Sequence, residues 1–206
     1  VLQRLMAYSG KRVLDITKLV DNEGKINWKV PKGNWKLVAA FNGKTFQQVK
    51  RAAPGGEGLV MDHFSASAVD KYLAHFEKAF STSGSPYPHA FFNDSYEVYG
   101  ADWTEDFFEQ FERRRGYKLE LHLPAFLSKE RSDLTVRLVA DYRETISDLL
   151  LENFTRKWTD WAHSHGSITR NQAHGSPGNL IDLYATVDIP EIEGFGLSDF
   201  GIKGLR

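Results

Sequence analysis

No cysteine occurs anywhere in the 206 residues, so disulfide staples and thiolate metal sites are excluded and the redox compartment is left open. A charge excess is missing too: 26 basic residues stand against 27 acidic ones, for a formal net charge of −1. Without a basic surplus a nucleic-acid partner is not expected. No apolar run approaches the roughly 20 residues that span a bilayer. The first residues, Val1-Leu2-Gln3-Arg4, show neither an initiator methionine nor a signal-peptide pattern, and the chain reads as part of a larger polypeptide. What is present is an ordinary supply of core, 41% hydrophobic, enough for one large domain. Aromatics at 13%, five tryptophans among them, suit sugar stacking and suit a large core as well.

Residues 1–50 read as a small antiparallel β segment. The runs Val13 to Ile16, Ile26 to Val30 and Trp35 to Phe41 alternate in part, and Asp21-Asn22-Glu23-Gly24 and Pro31-Lys32-Gly33-Asn34 separate them as turns. Trp28 and Trp35 are expected in the core of that sheet. Arg51 to Gly58, small and glycine-rich, is the candidate boundary. Its glycines lack the strand-before, helix-after setting of a phosphate loop.

Residues 51–206 change character. Strands are expected at Leu59 to Met61, His89 to Phe92, Ser167 to Thr169 and Ala185 to Ile189. Between them lie helical stripes: Val69, Tyr72, Leu73, Phe76 and Phe80 behind a Ser67–Asp70 cap, then Phe107, Phe108 and Phe111 behind Asp102 and Glu105, with Gly116 as the stop. A single long helix is predicted from about Leu134 to His165, and a shorter one from Pro177 to Tyr184. Alternation of this kind argues for an α/β fold with a parallel sheet covered by helices. Four strands are half of what a closed barrel needs, so the expectation is a partial (β/α)8 TIM-type barrel.

Three strand ends are dense in polar groups: Asn93, Asp94, Ser95, Tyr96 and Glu97; Arg170, Asn171, Gln172 and His174; and Asp188, Glu191 and Glu193. In a parallel barrel the C-terminal strand ends share one face, so residues distant in sequence converge there. Glycosidic cleavage needs such convergence, one carboxylic acid protonating the departing oxygen while a carboxylate activates water or attacks the anomeric carbon. Asn, Gln, His and Arg can hydrogen-bond sugar hydroxyls, and several oxygens together can hold a hard cation. Glu97 is the leading candidate for the acid. Each of these carboxylates can equally be a solvated loop charge. His163 and His165 sit at a helix C-terminus, where a dipole role is ordinary. The absence of a His-x-His pair at a strand end argues against a metal-dependent amidohydrolase. A non-catalytic carbohydrate-binding protein on a barrel scaffold is the alternative to an enzyme.

Several of these stretches resemble one family. Asn93 to Val98, Asp102-Trp103-Thr104, Phe111 to Tyr117, Asp141 to Leu149, Trp161-Ala162-His163, Gln172 to Gly178 and Asp188 to Glu191 are similar, in order and spacing, to the core of glycoside hydrolase family 106, the α-L-rhamnosidases. The stretch Leu59 to Ala68 and the β-rich start fit the segment preceding these motifs. The resemblance implies a (β/α)8 catalytic domain in a longer bacterial protein, periplasmic or extracellular. It implies inverting hydrolysis of α-L-rhamnosides in a rhamnose-containing plant glycan, assisted by calcium. Carried onto this chain, Glu97 matches the general acid. Asp94, Asn171, Gln172, His174 and Asp188 are expected to orient the sugar. Glu191 or Glu193 is expected to bind the metal, with Glu191 a candidate catalytic partner. The family's base is expected on a later strand beyond Arg206.

Overall fold

A computed structural model of the chain describes residues 1–192. Two compact units result, the first formed by residues 1–60 and 100–146, the second, among the described residues, by 61–99 and 147–192. Each unit is therefore assembled from two separated lengths of chain, where composition alone suggests a single break near residue 51.

The first unit carries an antiparallel sheet of order β2-β1-β3, from β1 (Leu2–Ser9), β2 (Arg12–Asp15) and β3 (Lys36–Phe41). The central strand β1 is not evident in the sequence, because Leu5, Met6, Ala7 and Tyr8 are consecutively buried rather than alternating. The expected strand Ile26 to Val30 is instead loop, with one bridge between Val20 and Ile26, since Pro31 follows and cannot extend a ladder. Trp28 meets Trp35 edge-on at 5.5 Å, and both pack on Leu5, Ala7 and Ile16.

Helix α2 (Phe107–Arg115) buries Phe107, Phe108 and Phe111 and ends at Gly116, whose φ of 78° supplies the left-handed stop. Asp106, not Asp102, precedes it, and no side chain caps it; the Asp102 carbonyl instead accepts the Tyr142 hydroxyl at 2.7 Å. A short helix α3 (Leu123–Phe126) follows a 3-10 turn in what reads as loop. Tyr8 donates its hydroxyl to the Glu120 carbonyl at 2.6 Å, and burial pushes that phenol up to about 12. Arg4 pairs with Glu109 at 2.5 Å.

The second unit holds a parallel sheet of order β4-β5-β6. Its strands are β4 (Ala90–Asn93), β5 (Ile168–Asn171) and β6 (Ile189–Pro190). Leu59 to Met61 is not a strand: Leu59 makes a single bridge to Gln48. Helix α1 (Ala66–Ser83) starts at Ser65, whose side chain accepts from the Ala68 amide, so the cap lies two residues before the expected Ser67. Of its predicted stripe, Val69 and Leu73 are buried while Tyr72 and Phe76 stay exposed.

The long helix is not uniform. Helix α4 (Asp133–Leu149) passes at Leu150–Arg156 into a π-helical stretch before α5 (Lys157–Ser164). Apolar residues at three- and four-residue steps fit either geometry, so the sequence does not mark the change. Helix α6 (Leu180–Ala185) is capped by Asn179, which accepts from the Ile181 amide. Phe91 packs against Trp161 at 4.9 Å and Phe80 at 6.2 Å, so α1 and α5 cover one sheet face. Phe92, Arg170 and Ile189 are in register with one another on the other face. No helix among the described residues is long and apolar enough to cross a membrane.

Candidate active site

Parallel pairing brings the C-terminal ends of β4, β5 and β6 side by side. Asn93 stands opposite Asn171, and Asn171 opposite Pro190. The ladder continues past the strands: the Gln172 amide donates to the Asn93 carbonyl and the Glu191 amide to the Asn171 carbonyl, both at 2.9 Å. The Asn93 amide group donates to Asn171 Oδ1 at 2.8 Å. Asn171 is 2% exposed, which makes it a tie between two strand ends rather than a donor presented to solvent.

The loop after β4 is irregular, with Asp94 and Glu97 exposed and Tyr96 buried between them. Asp94 turns its carboxylate back to the Ser95 amide at 2.8 Å. The Tyr96 amide donates to the His174 carbonyl at 3.0 Å, joining the loop after β4 to the loop after β5. Gly175 lies so close that a Cβ there would meet the Tyr96 carbonyl oxygen at 2.7 Å. The Tyr96 ring meets His63 edge-on at 5.3 Å, and His63 meets Phe154 at 4.7 Å. Burial drives the His63 imidazole down to about 4, so it is neutral at physiological pH. The Tyr96 phenol is shifted upward, first by burial and then by Asp62. Among the described residues, the buried Tyr96 hydroxyl and the Gln172 side-chain oxygen meet no hydrogen-bonding partner. From the sequence Tyr96 appears only as a member of the first strand-end cluster, with no role of its own, and His63 is not named as a site residue.

Glu191 follows β6 and accepts from Arg170 Nε at 2.5 Å; the Arg170 guanidinium also lies 5.3 Å from the Phe92 ring centre. Asp188 stands at the other end of β6. Its Oδ2 accepts from the Thr169 amide at 2.8 Å and the Thr169 hydroxyl at 3.0 Å, and lies 2.9 Å from His163 Nε2. Desolvation works against its ionisation, but His163 and Thr169 outweigh it and hold the carboxyl below the usual range. The sequence groups Asp188 with Glu191 and Glu193; the structure separates Asp188 from the strand-end set, and Glu193 lies outside the described residues. Among the described residues no three histidine, aspartate or glutamate side chains come together as a metal ion would require. Glu191 faces a guanidinium, and the other expected calcium ligand, Glu193, lies outside the described residues.

A family model described as alpha-L-rhamnosidase, glycoside hydrolase 106, matches residues 3–193. The chain belongs to this rhamnosidase family. Rhamnosidase from Novosphingobium sp. PP1Y has a similar structure, with a TM-score of 0.71 and 28% identity over 89% of this chain and 19% of that one. A Formosa agariphila protein whose name proposes a beta-glucuronidase is 31% identical over 186 residues, 87% of this chain and 16% of the relative. The chain thus spans less than a fifth of the length of either protein. The match covers the strand ends of all three parallel strands, Glu97 and Glu191 included.

Proposed function

We propose that the chain forms part of the (β/α)8 catalytic domain of an inverting α-L-rhamnosidase, with Glu97 as general acid. One observation carries the reading. In a chain matched to the rhamnosidase family from residue 3 to 193, the parallel sheet puts the loops bearing Asp94, Glu97, Gln172 and His174 at one edge. Glu97 is exposed on its loop, so its carboxylic acid is accessible to a glycosidic oxygen. It would give its proton to that oxygen as the bond to the anomeric carbon breaks. A water, losing its proton to a carboxylate base, would add to the opposite face of the ring.

Asn93 and Asn171 hold the two loops in register, and Asp94, Gln172 and His174 orient the sugar. Glu191 orients Arg170 at the rim. The Glu97→Gln variant of the whole polypeptide tests the acid role, with an aryl α-L-rhamnoside as substrate. Loss of turnover without loss of binding supports it, and unchanged turnover refutes it. Calorimetry with L-rhamnose, run with and without calcium and set beside hydrolysis by the whole polypeptide, separates the enzyme from a purely carbohydrate-binding role, since binding without turnover favours the latter, and shows whether a cation takes part.

The Formosa agariphila relative supports a second reading, in which the sugar is a uronic acid. Arg170, at the end of β5, is the cation that would meet a uronate there. Parallel assays with aryl rhamnoside and aryl glucuronide decide between them.

A further inference from the structure

Glu97 projects from a loop with no regular secondary structure, between Asp94 and Val98. An acid that must meet one oxygen needs its backbone held to within about 0.5 Å. Glu97 lies outside strand and helix, and its neighbour Tyr96 is held at three points. Its amide is bonded to the His174 carbonyl at 3.0 Å. Its carbonyl faces Gly175 at a distance that excludes any Cβ, and Gly175 has a φ of +82° that disfavours other residues as well. The residue is 8% exposed, and its ring rests edge-on against His63, which is backed by Phe154. The π-helical stretch serves the same end, because Asn153 donates to the Phe64 carbonyl at 2.7 Å and so fastens the His63 segment.

We infer that Tyr96 and Gly175 are positioning residues for Glu97: the buried ring and the turn at 174–175 clamp the peptide from which the acid extends. This rests on the reading of Glu97 as the acid and deepens it. The ring acts as an anchor through packing, since its hydroxyl has no hydrogen-bonding partner among the described residues. The turn acts through space, since a methyl group at 175 displaces the Tyr96 carbonyl.

General acid catalysis matters most when the leaving group is a poor one. The test is therefore kcat/KM of the whole polypeptide on aryl α-L-rhamnosides whose leaving groups run from dinitrophenol to unsubstituted phenol, for Gly175→Ala, Tyr96→Leu and Glu97→Gln. If the clamp positions the acid, Gly175→Ala and Tyr96→Leu lose roughly 10- to 100-fold on the phenyl substrate, the size expected for a misplaced catalytic group. On the dinitrophenyl substrate they lose only a few-fold. Glu97→Gln shows the same leaving-group dependence more steeply.

A uniform loss across all leaving groups, or no loss, in variants that melt like the parent overturns the inference. Should Gly175→Ala fail to fold, Tyr96→Leu decides alone. Unfolding of both would overturn it too, by making the clamp a requirement of the fold. A flat Glu97→Gln profile would instead sink the acid assignment, whatever the other two variants do.

Discussion

Two polar clusters flank the same parallel sheet, and they are built to opposite rules. At the entry to β6, Asp188 meets Thr169 twice and His163 once, and Thr169 Oγ1 accepts the Asp188 amide in return at 3.3 Å. Nearby, Ser167 donates its hydroxyl to the Pro88 carbonyl at 2.6 Å. At the exit, by contrast, the Tyr96 hydroxyl and the Gln172 oxygen are buried without protein partners among the described residues. Most buried polar groups are satisfied, so unsatisfied ones carry information. The entry cluster spends its hydrogen bonds on the fold. The exit cluster keeps some uncommitted among the described residues.

The largest effect that could break this contrast is on turnover. Replacing Glu97 by Gln should lower hydrolysis by about 10²–10⁴-fold, the range for a lost general acid, with no change in the melting curve. Next comes Asp188→Ala. Loss of a charged hydrogen-bond partner to Thr169 should cost the fold about 1–3 kcal/mol in urea unfolding, while sugar affinity of the folded protein stays unchanged. Weaker rhamnose binding with full stability would return Asp188 to the substrate site and dissolve the distinction.

Gln172→Met is the mirror image. An unpartnered oxygen contributes little to the fold, so stability should change by less than about 1 kcal/mol, and KM should rise several-fold. A separate effect is on pH dependence. His63 is held near 4 in the fold against about 6.5 in an unfolded chain. Below about 6.5 the unfolded state takes up the proton first, so stability falls as pH drops from there towards 4. His63→Phe should flatten that limb, as read by melting midpoints between pH 7 and 4. Asp188 acts separately and lower, its contribution being lost only as pH falls through its depressed value.

How far the sequence revealed this arrangement depends on which signal each part leaves. Strands β4 and β5 and the Gly116 helix stop were legible, because short apolar runs and a left-handed glycine are local features; the strand expected from Ala185 to Ile189 is instead the end of α6 and a turn, with β6 starting only at Ile189. Strand β1 was not, because a run buried on consecutive residues looks like neither period. The grouping of Asn93, Asn171 and Gln172 was legible through the rule that parallel strand ends share an edge. The commitment of Asp188 to Thr169 was not, for one step along a strand changes which end a carboxylate serves. His63 left no trace either, since its importance lies in a contact with Tyr96 more than thirty residues away.

The π-helical stretch at Leu150–Arg156 has a consequence for engineering and for divergence. A stretch of this kind amounts to one extra residue threaded into a regular helix. Removing a single residue there would restore ordinary pitch and leave the helix on either side facing nearly as before, so Trp161 would still cover Phe91. What would be lost is the widened turn from which Asn153 and Phe154 reach Phe64 and His63. A one-codon deletion in this stretch should therefore leave the helix running and act on the contacts behind His63.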